Sequence, residues 1–141
     1  MKISNLKHKT ILPSITTKTV EQKHSFAAHF YESKLKQHKT QILKMINKIQ
    51  HTANKLKSQI TEKSLNEYVS LVKECLSFVI KENYLLKKER NSDYSAIYLR
   101  VEIIDEELEQ LKNDFFDNQK ETIDLIAAID KITGMIIDIY K

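Results

Sequence analysis

Residues 98–140, YLRVEIIDEELEQLKNDFFDNQKETIDLIAAIDKITGMIIDIY, decide the fold of this chain. Apolar residues recur there in steps of three and four, at Val101, Ile104, Leu108, Leu111, Phe115, Leu125, Ile129, Ile132, Ile136 and Ile139. This spacing keeps side chains on one side of an α-helix. Only Asn118 and Thr122 interrupt the stripe with polar side chains. The pattern predicts either one long helix or two helices broken near Asn118.

The composition of the whole chain favours the same class of fold. The 141 residues include a single glycine, Gly134, and a single proline, Pro13. β-hairpins and dinucleotide-binding folds use both residue types heavily in their turns. The sequence therefore predicts one all-α domain.

Two further helices precede the long stretch. The first runs from about Ser25 to Gln59 and the second from about Ser64 to Lys88, where Ser64 and Glu67 match a capping box. Together the segments predict a three- to four-helix antiparallel bundle over residues 26–141, with a long C-terminal helix. Residues 1–25 lack a sustained period, and we expect them to form a flexible basic arm.

Charge is distributed unevenly along the chain. Residues 1–60 carry 12 lysines against two acids, a net +10, and residues 61–141 carry 11 basic residues against 17 acids, a net −6. The two parts either attract each other within the fold, or the basic part binds an external polyanion. The residues expected to contact such a polyanion are Lys34, Lys36, Lys39, Lys55 and Lys57.

Signatures of catalysis are absent from the sequence. One glycine cannot supply a P-loop or a GxGxxG motif, and the five histidines have no ligand spacing. Cys75 is the only cysteine and lies on the apolar face of the second helix, where a thiol usually serves packing. We expect no enzyme activity, no cofactor and no metal. No apolar run is long enough for a membrane span, and no signal peptide is evident, so a cytoplasmic protein is expected.

The length of the C-terminal stretch bears on partners. An unbroken helix over residues 98–140 would span about 65 Å, whereas the second helix would span only about 37 Å. The uncovered stripe would then need the first helix, a protein partner or a second copy of the chain in a homodimer. The residues expected to contact a partner are Phe115, Phe116, Asn118 and Thr122. A break near Asn118 would remove this argument and give a self-contained four-helix bundle.

Three ordered segments of the chain resemble the bacterial YaaR-like family. They are Leu65-x-x-Tyr68-x-x-x-Val72-Lys73-x-x-Leu76, Ile104-Asp105-x-x-Leu108-x-x-Leu111, and Ile129-x-x-Ile132-x-Gly134-Met135-Ile136-Ile137-Asp138. The resemblance covers about residues 37–141. The chain departs from the family pattern at Ala53, where a glycine is expected, and at Cys75, where an aromatic residue is expected.

The resemblance implies a small helical bundle without an assigned activity, whose relatives lie near replication or flagellar genes. The first hypothesis, motivated by the length of the C-terminal apolar stripe, is a non-enzymatic interaction protein that acts as an adaptor or export-chaperone-like module. The resemblance suggests a link to flagellar assembly. The alternative is a nucleic-acid-associated factor that binds through its lysine-rich N-terminal part.

Overall fold

The computed structural model describes the backbone of residues 2–90 and 94–139 and the side chains of residues 26–83 and 95–139. Four helices follow in order: α1 (Lys2–Ser58), α2 (Glu62–Arg90), α3 (Tyr94–Phe115) and α4 (Thr122–Ile139). The described residues contain no strand. The predicted all-α fold is confirmed.

The chain divides into two compact units, Met1–Lys39 and Thr40–Lys141. The first unit belongs to α1, and among its described side chains Phe26 and Phe30 are exposed. The second unit holds residues 40–58 of α1 together with α2, α3 and α4. Residues 2–25 of the expected arm are helical in backbone, but their side chains lie outside the described residues. The division at residue 25 remains a prediction.

The core of the second unit is made by the apolar stripes of its four helical segments. In α3 and α4 the predicted stripe is buried from Val101 to Leu111 and from Leu125 to Ile136. The other buried apolar residues are Ile42, Ile46, Ile49, Ala53 and Leu56 of α1 and Leu65, Tyr68, Val69, Val72, Cys75, Leu76 and Val79 of α2. Burial of such stripes is the main stabilising term of a helical bundle.

The C-terminal stretch is broken between Phe115 and Thr122. Asp117 accepts a hydrogen bond at Oδ1 from the Gln119 amide at 3.0 Å, and its carbonyl accepts one from the Lys120 amide at 3.1 Å. An aspartate that bonds the backbone two residues ahead favours a turn over a helix. The prediction of two helices broken near Asn118 is therefore correct, and the single long helix is wrong.

This break changes the length argument for a partner. α3 has 22 residues and α4 has 18, so they span about 33 Å and about 27 Å. α3 and α4 pack against each other, and the apolar stripes of both are buried. No part of the stripe has to extend beyond the end of α2. Helix length therefore gives no support for a homodimer or for another protein partner.

The start of α2 differs from the predicted capping box. The Ser64 amide donates to Thr61 Oγ1 at 3.2 Å, and the two hydroxyl oxygens lie 2.8 Å apart. Thr61 is thus the cap, three residues before Ser64, and Ser64 lies inside the first turn of α2. Glu67 instead pairs with Lys55 across the α1–α2 turn, with 3.4 Å between Nζ and Oε2.

Ion pairs on the surface link neighbouring helices of the bundle. Four of them join different helices: Lys55 with Glu67, Lys57 with Asp130, Lys73 with Glu109, and Lys131 with Glu107. The first two connect the basic part of the chain to the acidic part, as the intramolecular interpretation of the charge predicts. Exposed pairs of this kind contribute about 0–1 kcal/mol each. In the part of the chain that is described, no helix has the length and hydropathy to cross a membrane.

Candidate functional site

The described side chains do not assemble a recognisable catalytic centre. No three His, Cys, Asp or Glu side chains among them are placed to hold a metal ion. Cys75 is buried, and burial, with a smaller contribution from the charge of Glu74, raises the pKa of its thiol to about 11. Such a thiol stays protonated near neutral pH and is a poor nucleophile. Surface features are the remaining candidates for a site.

The α3–α4 turn carries the residues that the sequence singled out for partner binding. Phe115 packs against the core, and the exposed ring of Phe116 lies edge-to-face on it, with 5.0 Å between ring centroids. Asn118 is exposed in the turn, and Thr122 is exposed as the first residue of α4. The structure thus brings the four residues into one short segment. Whether they bind a partner remains a prediction.

Ile123 is a further exposed apolar residue beside this turn and was not among the predicted residues. Its side chain is 69% exposed, next to Thr122, and Phe116 is 65% exposed at the other end of the turn. Large apolar side chains with this exposure contribute little to the core of the fold, and where they gather they often mark a binding surface. We call Phe116 and Ile123 the turn patch.

A groove between α3 and α4 is the second apolar surface. It has a volume of about 370 Å³ and is lined by Arg100, Ile103, Ile104, Met135 and Asp138. Ile104 is buried at its floor, and Ile103 is 43% exposed at its edge. Because α3 and α4 are antiparallel, this groove lies at the end of the helix pair away from the turn patch. Sequence reasoning missed Ile103, although its position beside the stripe residue Ile104 was a signal that α3 carries apolar residues beyond its core face.

The five lysines predicted to contact a polyanion have different surroundings. Lys34, Lys36 and Lys39 are exposed on α1, and the Lys34 ammonium lies 5.7 Å from the centre of the Phe30 ring. Lys55 and Lys57 form ion pairs with acidic residues of the bundle, at 3.4 Å and 2.7 Å. A polyanion would have to compete with those carboxylates for the latter two lysines.

Solved structures share the fold with this chain. The crystal structure of an uncharacterized protein from Bacillus halodurans is 23% identical, with a TM-score of 0.66, over 75% of this chain and 89% of that chain. Moevan, a designed granulopoietic protein made by topological rescaffolding, is 20% identical, with a TM-score of 0.67, over 75% of this chain and 93% of that chain. No curated protein matches the chain. At these identities the likeness shows the fold alone.

Sequence-family comparison extends over almost the whole chain. The family described as "Protein of unknown function (DUF327)" matches residues 3–140. The match confirms the resemblance drawn from the three ordered segments of α2, α3 and α4. The chain therefore belongs to this YaaR-like family of helical proteins of unknown function.

Proposed function

We propose that the protein is a non-enzymatic helical interaction protein that acts as an adaptor or export-chaperone-like module. The observation that supports this most is the exposure of large apolar side chains at both ends of the α3–α4 pair. Phe116 and Ile123 are exposed at one end, and Leu99 and Ile103 at the other. Exposed apolar residues that gather in patches are typical of protein-binding surfaces.

Recognition would follow from the properties of these patches. The α3–α4 groove offers an apolar floor between two helices, which suits the apolar face of a partner helix. The turn patch presents an aromatic ring fixed edge-to-face on Phe115, and anchors of this type contribute strongly when a partner covers them. A link to flagellar assembly, which the family resemblance suggested, is part of this proposal.

Affinity capture from native cells with identification by mass spectrometry tests the function. The full-length chain serves as bait, beside a Phe116→Ser/Ile123→Ser variant, a Leu99→Gln/Ile103→Gln variant, and a Leu43→Ser control. Leu43 is 48% exposed on α1, away from both patches in sequence. We expect one or more proteins to be enriched with wild type and the control and to be lost with at least one patch variant.

Two results would contradict the proposal. One is capture of no protein above background, combined with a strict monomer in light scattering. The other is capture that neither patch variant reduces. The flagellar part of the proposal requires that the captured proteins include flagellar components.

A second candidate function rests on Lys34, Lys36 and Lys39. They are exposed in a part of the chain with a net charge of +10 over residues 1–60. In a nucleic-acid-associated factor these lysines would contact phosphates, and affinity would fall steeply with salt because bound counterions are released. A salt titration of DNA and RNA binding, with the triple Lys→Gln variant at these positions, tests this. Absence of binding at low salt would exclude it.

A further inference from the structure

The groove between α3 and α4 has the geometry of a helix-binding site. Ile104 forms its floor, and the half-buried Met135 of α4 forms one wall. Ile103 stands at the α3 edge, and Leu99 lies one helical turn before it on the same face, 57% exposed. Apolar residues four apart on one helix match the spacing with which a second helix presents its own apolar face.

Gly134 supplies an independent observation beside this groove. It precedes Met135 in α4 and lies one turn before Asp138, which lines the groove. A Cβ atom added at Gly134 would meet nothing within 4 Å, so no packing within the fold requires a glycine. A glycine inside a helix nevertheless costs about 1 kcal/mol relative to alanine. A bare backbone at this position is useful where another chain approaches closely.

Charge around the groove indicates which kind of helix would bind. Residues 94–139 carry 11 acidic side chains against four basic ones, a net −7. Arg100 and Asp138 line the groove with opposite charges, and Glu106 is exposed one turn beyond Ile103 on α3. Asp130 and Glu109 of the helix pair are paired with Lys57 of α1 and Lys73 of α2. The net negative charge that remains on α3 and α4 favours a basic ligand over an acidic one.

We propose that the α3–α4 groove binds a basic amphipathic helix of a partner protein. Its apolar face covers Leu99, Ile103 and Met135, its backbone approaches Gly134, and its lysines or arginines face the acidic residues of α3 and α4. This proposal rests on the proposed function. It specifies the chemistry of the partner that binds the α3–α4 groove, as distinct from the turn patch.

Model peptides provide a direct test with the full-length chain. Two fluorescein-labelled helical peptides of about 18 residues, five turns, carry the same leucines at positions i, i+3 and i+4. One has lysine and the other glutamate at the remaining exposed positions. We expect the lysine peptide to bind in fluorescence anisotropy at least about tenfold more tightly than the glutamate peptide, with affinity that falls as salt rises.

Variants then locate the binding site. Leu99→Gln/Ile103→Gln should weaken the lysine peptide at least about tenfold, and Gly134→Leu should weaken it similarly by blocking close approach. Leu43→Gln is the matched control and should bind as wild type. Circular dichroism and thermal melting of each variant establish that the fold is intact. Leu43, Leu99 and Ile103 are exposed, so their replacement should leave the melting temperature nearly unchanged. Gly134→Leu should raise it slightly, because leucine has a higher helix propensity than glycine.

Several outcomes would overturn the proposal. They are equal binding of the two peptides, an unchanged affinity of the lysine peptide for the Leu99→Gln/Ile103→Gln variant, and failure of the lysine peptide to bind. Concentration-dependent dimerisation that this variant abolishes would assign the groove to a second copy instead. If the peptides fail while the turn-patch variant still loses captured protein, the groove proposal falls and the proposed function stands.

Discussion

The phenolic oxygen of Tyr68 lies 2.8 Å from Thr133 Oγ1, and this hydrogen bond joins α2 to α4. Thr133 Oγ1 also donates to the Ile129 carbonyl at 2.8 Å, and the Tyr68 hydroxyl lies 3.4 Å from the same carbonyl oxygen. Tyr68 is fully buried, and burial raises its pKa to about 12. The pair is thus a polar link inside an otherwise apolar core.

Replacement of Tyr68 by phenylalanine should destabilise the fold modestly. The change removes the buried hydrogen bond between the two hydroxyls and leaves Thr133 Oγ1 without that partner, so we expect a loss of about 1 kcal/mol. Urea unfolding of Tyr68→Phe, Thr133→Val and the double variant measures the coupling between the two side chains. A double variant that loses the full sum of the single losses would contradict a direct link.

The buried carboxyl of Glu82 should make stability depend on pH. Glu82 is 6% exposed, and burial raises its pKa to about 7. The unfolded chain has a glutamate pKa of about 4.3, so the folded state holds this proton more tightly. The stabilising contribution is complete below that unfolded value and is lost as pH rises through about 7.

Glu82→Gln should therefore stabilise the protein at pH 8 by about 1–3 kcal/mol and have little effect near pH 4. Thermal or urea unfolding at several pH values measures this difference. Glu74→Gln, on the exposed side of the same helix, is the control and should show no such dependence. An equal effect of Glu82→Gln on stability at pH 4 and pH 8 would show that ionisation of this carboxyl does not cause the pH dependence.

The only glycine should be replaceable with a gain in stability. Gly134→Ala adds a methyl group into open space, so only the higher helix propensity of alanine remains, about 0.5–1 kcal/mol. Ala53→Gly is the opposite change at a buried position of α1 where relatives are expected to carry glycine, and it should cost about 1 kcal/mol or more. Denaturant unfolding of both variants checks the two signs. Destabilisation by Gly134→Ala would show that the position is constrained within the fold.

Local periodicity explains why much of the fold could be predicted. Ile104, Leu108, Ile129 and Ile132 were expected on one stripe, and all are buried, because helical spacing alone determines which side of a helix is apolar. The same spacing does not decide whether the chain breaks near Asn118, because one unbroken helix and two packed helices carry stripes of the same period. The side chain of Asp117 accepts a hydrogen bond from the turn backbone, and this favours the break over a continuous helix.

The groove could not be predicted in the same way. Ile103 and Met135 are 32 positions apart in sequence, and only the antiparallel packing of α3 on α4 places them at one surface. The exposure of Leu99 and Ile103 likewise depends on which faces the neighbouring helices cover. Of the candidate site, therefore, only the turn residues Phe115 to Thr122 could be singled out from the sequence, because they are adjacent along the chain.

Cys75 should report on the opening of the core. Its thiol is buried, and its pKa of about 11 leaves only a minute thiolate fraction at pH 8. We expect a thiol-reactive disulfide reagent to label native protein at least about 100-fold more slowly than protein unfolded in urea. The labelling rate should rise in Tyr68→Phe and fall in Gly134→Ala, because access requires the opening of α2 from the bundle. Rapid stoichiometric labelling of the native chain would mean that this face of α2 is open to solvent. Labelling rates that neither substitution changes would show that the region around Cys75 opens independently of the Tyr68–Thr133 link.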